Sequence, residues 1–238
     1  MMKNVMRILT LATVLALTLG AAALAENATV TVSGSAQVSV ATDHAVIHLG
    51  IRTKAATPTE AQAENKTRTD AVMKALIGDC GIAEDKIATS SFSIYTMTEY
   101  VGLSNQEKQY YQVMHELSVT VADLDRTGSV IDVAVEAGAN IINYVSFEAS
   151  GMKEAYDKAL QEAIADAKRK AELIAATSGM KLGNLVSVST LGSGSDFYSN
   201  SFRMTAAEED AGGAATKLAP GTQNTSATVN VTWELIPE

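Results

Sequence analysis

The chain has 238 residues, of which 47% are hydrophobic and 19% charged, a composition typical of a globular protein and not of a disordered one. Its formal net charge is −9, which argues against a nucleic-acid-binding protein, because neutralising phosphates requires clustered Lys and Arg. The single cysteine excludes a disulfide framework and any metal site built from several thiolates.

Residues 1–25 follow the three-part plan of a secretory signal peptide. Two basic residues precede an uncharged apolar run at 8–20, and a small-x-small cleavage site ends at Ala25. The alternative is a membrane anchor, but the end of the uncharged stretch is rich in alanine, whereas a spanning helix needs about 20 strongly apolar residues. We therefore predict cleavage, a mature domain over residues 26–238, and an extracytoplasmic (periplasmic or secreted) location with no membrane span.

Export would place the only thiol, that of Cys80, in an oxidising compartment, where it stays free or pairs with another chain. Cys80 stands at a turn after a helical segment. We predict a structural role for it, with a redox role and an intermolecular disulfide as the alternatives.

The mature chain begins with two predicted strands and a helix. Residues 29–40 and 45–51 alternate apolar and polar side chains, and Gly34 indicates a bulge or the close approach of another backbone. A capping box with Pro58 at the first helical position predicts a helix that ends near Gly78. One face of this helix carries Ala61, Asn65, Thr69, Val72 and Leu76.

A β-hairpin and a shorter helix follow. Residues 87–100 and 111–121 predict the two strands, with the turn at residues 102–108. Asp123 or Asp125 is expected to cap the shorter helix.

The second half of the chain predicts a strand at 141–147, a long helix at 152–178 and strands at 185–191 and 227–235. Residues 192–224 show no hydrophobic period and predict a long flexible loop. The last strand is cleanly amphipathic and nearly terminal, so we expect it at a sheet edge. The stripe that the long helix is expected to bury consists of Met152, Tyr156, Ala159, Ala163, Ala167, Ala171 and Ile174.

This order of elements predicts an α+β protein of two lobes. Residues 41–149 have the β-α-β-β-α-β order of ferredoxin-like folds. Residues 26–40 together with 150–238 would form a second lobe, in which the long alanine-rich helix packs on a sheet that contains the terminal strands.

The histidines are the first candidates for chemistry. His44 and His48 are four residues apart on a predicted strand, where that spacing spans about 13 Å, so they cannot share one metal ion. His115 is followed by Glu116 as in a zinc-protease motif, but no second histidine follows. It lies on the apolar side of its strand, and we predict a partly buried histidine whose hydrogen bonds are satisfied.

The remaining candidates also have structural explanations. The acidic run that begins at Asp123 imitates a calcium loop, but Ala134 stands where calcium needs a bidentate glutamate. The basic run at 168–170 is expected on a solvated helix face, and Asn65 is expected to hydrogen-bond between helix and sheet. We therefore assign no catalytic, metal-binding or cofactor-binding residue and predict no cofactor.

Short segments spread along the chain, in a characteristic order and spacing, carry a resemblance to a known family. They are Thr31-Val32-Ser33-Gly34, Asp43-x-Ala45, Gly81-Ile82 before Ile87-Ala88-Thr89, Tyr111, Ala137-Gly138-Ala139-Asn140, the alanine-rich helix to Gly179, Leu182-Gly183 and Pro220-Gly221. In these segments the chain resembles the SIMPL-domain family of exported bacterial proteins, which includes periplasmic immunogenic proteins. The resemblance implies an extracytoplasmic α+β protein that assembles into a ring-like or barrel-like oligomer and is loosely tied to oxidative and other stress responses. It brings no enzyme activity or ligand with it.

Three functions follow as hypotheses. The first, which we favour, is a non-enzymatic, homo-oligomeric scaffold or binding protein of the cell envelope. The second is an extracytoplasmic hydrolase with His115 or an aspartate as its base and the long loop as a lid. The third is a small-ligand-binding or sensing module with an inter-lobe cleft, for which a pocket lined by His115, Tyr95 and Tyr111 would be the sign.

Overall fold

The secondary structure is arranged in two separate antiparallel sheets. The computed structural model describes residues 28–101, 106–190, 201–202 and 218–238. Those residues form eight strands and three α-helices. In chain order the elements are β1 (Thr29–Ala41), β2 (His44–Ala55), α1 (Pro58–Gly78), β3 (Ile87–Val101), β4 (Gln106–Val121), α2 (Thr127–Glu136), β5 (Ile141–Glu148), α3 (Met152–Thr177), β6 (Met180–Thr190), β7 (Ser201–Phe202) and β8 (Thr222–Pro237).

The larger sheet confirms the ferredoxin-like half. Its strand order is β3-β4-β2-β5-β7, and the neighbouring strands run antiparallel. The run from β2 to β5 has α1 and α2 as its two connecting helices, which is the split arrangement predicted from the sequence. The α+β class is therefore confirmed. The two hairpin strands are longer than predicted: β3 continues to Val101 and β4 begins at Gln106.

The core of this half lies between the sheet and its helices. Alternation along β2 buries Ala45, Ile47, Leu49 and Ile51 completely, since successive strand residues point to opposite faces. The five residues predicted to share one face of α1 are the buried residues of that helix. Thr57 caps the helix by accepting a hydrogen bond from the N–H of Glu60, as the capping box indicated.

The smaller sheet corrects one prediction. Its order is β1-β8-β6, so β8 is the central strand and not an edge strand. Local periodicity shows that β8 is amphipathic, but its neighbours are β6 and the distant β1, and pairing with a strand so far away in the chain leaves no local signal. β8 buries Trp233 on its apolar side, while Thr232 on the other side meets Thr31 of β1 with 2.9 Å between the hydroxyl oxygens.

The long helix α3 packs through small side chains. A Cβ atom added at Gly34 of β1 would lie 2.0 Å from the carbonyl oxygen of Ala163, which confirms the predicted close approach. The predicted stripe is wrong at both ends, because Met152 and Tyr156 are only partly buried and Ile174 is 42% exposed. The buried residues of α3 are four apart throughout, whereas the predicted stripe mixed spacings of three and four. Four residues turn the helix about 40° beyond one full turn, so the observed stripe winds slowly around the helix axis. The buried alanines are Ala155, Ala159, Ala163, Ala167, Ala171 and Ala175.

The described residues divide into two compact units. One unit contains the described residues of 37–159 and 194–226, and the other contains those of 1–36, 160–193 and 227–238. Each has its own sheet-forming segments and at least part of a helix.

Two sequence-based predictions fall largely outside the described residues. These are the signal peptide at 1–25 and most of the loop at 192–224. Within the loop, Ser201 and Phe202 form β7, which pairs with Ser146 and Val145 of β5. β8 begins at Thr222, earlier than predicted. Among the described helices, none has the length and apolar character needed to cross a membrane.

Candidate functional site

A pocket of about 440 Å³ lies beside the first half of α1, a volume within the range of small-molecule sites. Seven of its lining residues come from α1, and the other two are Phe92 of β3 and His115 of β4. All of them belong to the unit that contains residues 37–159. Of the three residues named as the sign of a ligand-binding module, the lining of this pocket includes His115 but not Tyr95 or Tyr111.

A β-bulge in β3 builds one side of the pocket. Thr89 is paired with Leu117 and Phe92 with His115, while Ser91 is paired with Glu116, so Ser90 is an extra residue in this strand. Without an extra residue, side chains three positions apart point to opposite faces of a sheet. The bulge therefore turns both Thr89 and Phe92 toward the face that carries His115, and bulges are frequent next to active sites.

The polar half of the α1 stripe forms the back of the pocket. Asn65 is 1% exposed, and its Nδ2 donates to the carbonyl oxygen of Ile51 on β2 at 2.8 Å. This confirms the predicted helix-to-sheet hydrogen bond. Thr69 is also buried, and its hydroxyl donates to Oδ1 of Asn65 at 3.4 Å. These contacts satisfy polar groups that would be costly to bury alone.

His115 joins this chain of hydrogen bonds to the sheet edge. Its Nδ1 lies 3.3 Å from the Thr69 hydroxyl and its Nε2 lies 2.9 Å from the Thr89 hydroxyl. All of these groups are satisfied when the Thr69 hydroxyl donates to Asn65, Nδ1 donates to Thr69 and Nε2 accepts the hydroxyl hydrogen of Thr89. Burial lowers the pKa of His115, which favours this neutral form. The predicted satisfied, partly buried histidine is confirmed.

This arrangement contains part of what a hydrolase would need. The Thr89 hydroxyl and Nε2 are at the distance of a nucleophile and its general base. The group on Nδ1, however, is the hydroxyl of Thr69 and not a carboxylate. In catalytic triads a buried carboxylate stabilises the imidazolium that forms. The contact is therefore better suited to holding a neutral imidazole than to proton abstraction.

The rim of the pocket carries balanced charge. Lys66 and Asp70 lie one turn apart on α1, and their ammonium and carboxylate groups form an ion pair. Both side chains are more than half exposed, so the pair contributes little to stability. Its effect is to leave the rim without net charge.

The other histidines have separate partners. Nδ1 of His44 lies 2.6 Å from the carboxylate of Asp43, and its Nε2 lies 3.6 Å from Glu148. His48 stacks on Tyr144 with ring centroids 4.2 Å apart. No group of three or more metal-ligating side chains is found within the described part of the chain.

The remaining sequence candidates have structural partners. The Asp123 carboxylate accepts from the N–H of Asp125 and caps a short 3-10 turn that leads into α2. On α3, Arg169 and Lys170 both pair with Asp166 and lower its pKa to about 2. The Cys80 thiol is buried, which raises its pKa and makes a reactive thiolate unfavourable.

A second candidate surface lies in the other unit, at the β6 edge, which we define as Leu185, Val186 and Val188. Within the described residues β6 is an edge strand, and these side chains are 57%, 54% and 46% exposed. Leu185 and Val188 are paired with Trp233 and Val231, so they share the face of the sheet on which those two residues are buried. The apolar face of the sheet therefore continues onto β6 without the burial that β8 has.

Residues 30–233 match the family model named SIMPL, which is described as a protein of unknown function (DUF541). The chain belongs to the SIMPL family. The family was predicted from the order of short segments along the sequence, and this prediction is confirmed.

Two curated relatives of this SIMPL-family chain are named 26 kDa periplasmic immunogenic protein. One is from Brucella melitensis biotype 1 and one from Brucella abortus strain S19, and each is 26% identical over 170 residues. Each alignment covers 70% of this chain and 68% of the relative. A third relative, named Uncharacterized protein YggE, from Edwardsiella ictaluri, is 30% identical over 170 residues, which are 71% of this chain and 70% of the relative.

Sequence reasoning found His115 and Asn65 but missed Thr89 and Phe92. Those two residues have opposite parity on a predicted strand, so the alternation pattern assigns them to opposite faces. The bulge at Ser90 has no glycine to indicate it. Only the pairing with β4 shows that the two side chains share a face.

Proposed function

We propose that this SIMPL-family chain is an extracytoplasmic protein of the cell envelope that acts as a non-enzymatic, homo-oligomeric scaffold or binding protein. The names of the Brucella relatives support the periplasmic location. The family resemblance also supports a link to oxidative or other stress responses, which we include in the proposal.

The observation that carries the assembly part of the proposal is the β6 edge. An edge strand presents backbone N–H and C=O groups that another strand can pair with, and natural proteins usually protect such edges with charges or bulges. The register of β6 with β8 shifts on both sides of Leu185, but in place of charges the β6 edge carries three large apolar side chains. Leu173 of α3 in the same unit is 63% exposed. Covering this surface with a second copy would remove apolar area from water, which favours association.

Sedimentation of the purified exported protein, with EDTA and reductant present, tests the assembly. We expect a discrete oligomer at micromolar concentration. Val188→Lys should shift the protein toward the monomer, because a lysine on this edge would be desolvated in the interface. Ala88→Lys is the matched control, since it places lysine at an exposed position on β3, the edge strand of the other sheet. A monomeric wild-type protein would overturn the assembly proposal.

The non-enzymatic part is tested at the Thr89–His115 contact. A fluorophosphonate probe labels hydroxyl nucleophiles that are activated by a base. We expect no covalent adduct on the wild-type protein, because the group that orients His115 is a hydroxyl and not a carboxylate. An adduct that disappears in Thr89→Val would instead support the hydrolase hypothesis.

A second candidate function, a small-ligand-binding or sensing module, is favoured by one observation. This is the pocket at His115, whose lining lies within a single unit. Ligand binding there is compatible with a scaffold, since the pocket and the β6 edge belong to different units.

A further inference from the structure

We propose that the His115 pocket binds a small, uncharged organic molecule with a flat apolar ring that carries hydroxyl or amide groups. This inference rests on the second candidate function and names its ligand class. It does not depend on assembly through the β6 edge.

The ring is inferred from Phe92. This side chain is 49% exposed on the face that carries His115, and the two rings meet edge to face with centroids 5.4 Å apart. Phe92 is therefore held by its neighbour while much of its surface stays in contact with solvent. A flat apolar ligand would cover that surface, and aromatic pairs contribute about 0.5–1.5 kcal/mol beyond the area they bury. Ala63 of α1 also lines the pocket and adds an apolar contact.

The hydroxyl or amide groups are inferred from the polar lining. The Thr89 hydroxyl has one hydrogen and two lone pairs, and its contact with Nε2 of His115 uses only one of these, so a lone pair is left to accept a hydrogen bond from a ligand. Thr59 and Gln62 line the same pocket from the first turns of α1, and a hydroxyl and an amide both donate and accept. A ligand with donors and acceptors on a ring therefore matches this lining.

The absence of ligand charge is inferred from the electrostatics. His115 meets only threonine hydroxyls at its two ring nitrogens, and its burial lowers its pKa and favours the neutral imidazole. Lys66 and Asp70 neutralise each other at the rim. A charged ligand would lose its hydration in the pocket and find no unpaired opposite charge among the lining residues. Burying an uncompensated charge is costly. A neutral ligand avoids this cost.

The size follows from the volume. A water molecule occupies about 30 Å³ in the liquid, so a pocket of about 440 Å³ holds the equivalent of about 15 waters. This is enough for a molecule of one or two rings. The back of the pocket is already tied by hydrogen bonds, so binding there would require little rearrangement.

Three probes of matched shape test the ligand class: neutral 4-hydroxybenzamide, anionic 4-hydroxybenzoate and cationic 4-hydroxybenzamidine. Saturation-transfer NMR on the purified exported protein at neutral pH measures the affinity for each probe. We expect the neutral probe to bind at least about tenfold more tightly than either charged probe, a difference of about 1.4 kcal/mol.

Two variants locate the binding. Phe92→Ala should weaken the neutral probe about tenfold or more, because the apolar wall is removed. Tyr95→Ala is the matched control, since Tyr95 is a half-exposed aromatic residue of the same strand and its pairing with Gln112 places it on the opposite face. Amide NMR spectra of both variants establish that each remains folded.

The outcomes separate the ligand class from the site itself. Tighter binding of a charged probe that Phe92→Ala abolishes would overturn the uncharged class and keep the pocket as a ligand site. Equal binding of all three probes, or no effect of Phe92→Ala in a folded protein, would overturn the proposed recognition. Failure of every probe to bind would overturn both the class and the ligand-binding function.

Discussion

Asn65 is a polar residue on a helix face that otherwise continues into the apolar core. Toward the end of α1 the same stripe carries Val72 and Leu76, which are fully buried. Asn65 is retained in that row because β2 presents a carbonyl oxygen, that of Ile51, which the Asn65 amide can reach. The side chain thus satisfies a buried acceptor and also holds Thr69 in place for His115.

We therefore expect Asn65→Ala to lower the free energy of unfolding by about 1–3 kcal/mol, because the Ile51 carbonyl would lose its amide donor. Urea denaturation at neutral pH measures the change. Thr67→Ala is the control, since the exposed Thr67 hydroxyl bonds only within its own helix and its removal should cost less than about 0.5 kcal/mol. Equal losses in the two variants would contradict the role assigned to Asn65.

His115 predicts a pH dependence of stability. Burial lowers its pKa in the folded protein below the ordinary value of 6.5, so between those two pH values the unfolded chain binds more protons. The contribution of the neutral imidazole is fully present above pH 6.5 and is lost as the pH falls through the lowered pKa. The free energy of unfolding of the wild type should therefore decrease over that window.

Urea denaturation at several pH values checks this, with His115→Gln as the comparison. Glutamine keeps polar contacts at the site but does not ionise, so the variant should lose less stability between pH 7 and pH 5 than the wild type does. Parallel curves for the two proteins would show that other groups cause the acid sensitivity.

At the scale of elements, α3 and β1 approach closely because both present small residues. Gly34 leaves room for the backbone of α3 at Ala163 and for the side chain of Ala167. The interior of a protein has little free space, so a position this tight cannot absorb even one carbon atom without movement. The small size of the alanine side chains is thus what allows α3 to pack so closely against β1.

Gly34→Ala should lower the free energy of unfolding by about 1–3 kcal/mol, the usual cost of overpacking, because the new Cβ would collide with backbone atoms. Gly78→Ala is the matched control: a Cβ at that helical position meets nothing within 4 Å. Alanine there should be neutral or stabilising by up to about 1 kcal/mol. Thermal unfolding followed by circular dichroism compares the two, and an unchanged midpoint for Gly34→Ala would refute the close packing.

At the scale of the whole molecule, compartment and assembly are linked. The relatives named as periplasmic support the location that the signal-like segment predicted. A protein outside the cytoplasm that carries one buried thiol cannot rely on internal disulfides, so the stability of the subunit depends on its packing. The proposed association would add to that stability. The β6 edge is one surface in the described residues where association would remove exposed apolar side chains from water.

We expect export to remove residues 1–25, since the basic start, apolar run and small residues before Glu26 are the features that signal peptidase requires. Intact mass spectrometry of the exported protein measures the first residue directly. A membrane-bound species that retains residues 8–20 would show that the segment is an anchor.

The sequence by itself determined the elements, the family and the predicted export signal. Periodicity revealed the strands and helices because the side-chain repeats of about 2 and 3.6 residues are local properties of the backbone. It also identified the α1 stripe with Asn65, and the α+β class followed from the order of elements. The ferredoxin-like half could be named because its strands pair in an order that its connections largely dictate.

Only the tertiary structure decided which strands lie at edges and which side chains meet in the pocket. The central position of β8 depends on pairing between the two ends of the chain, which no local pattern records. The burial of Ala175, where the sequence pattern predicted Ile174, depends on how the buried stripe of α3 winds along the sheet. Thr89 and Phe92 meet His115 because a single unpaired residue, Ser90, reverses the parity of β3, and that register exists only once β4 is beside it.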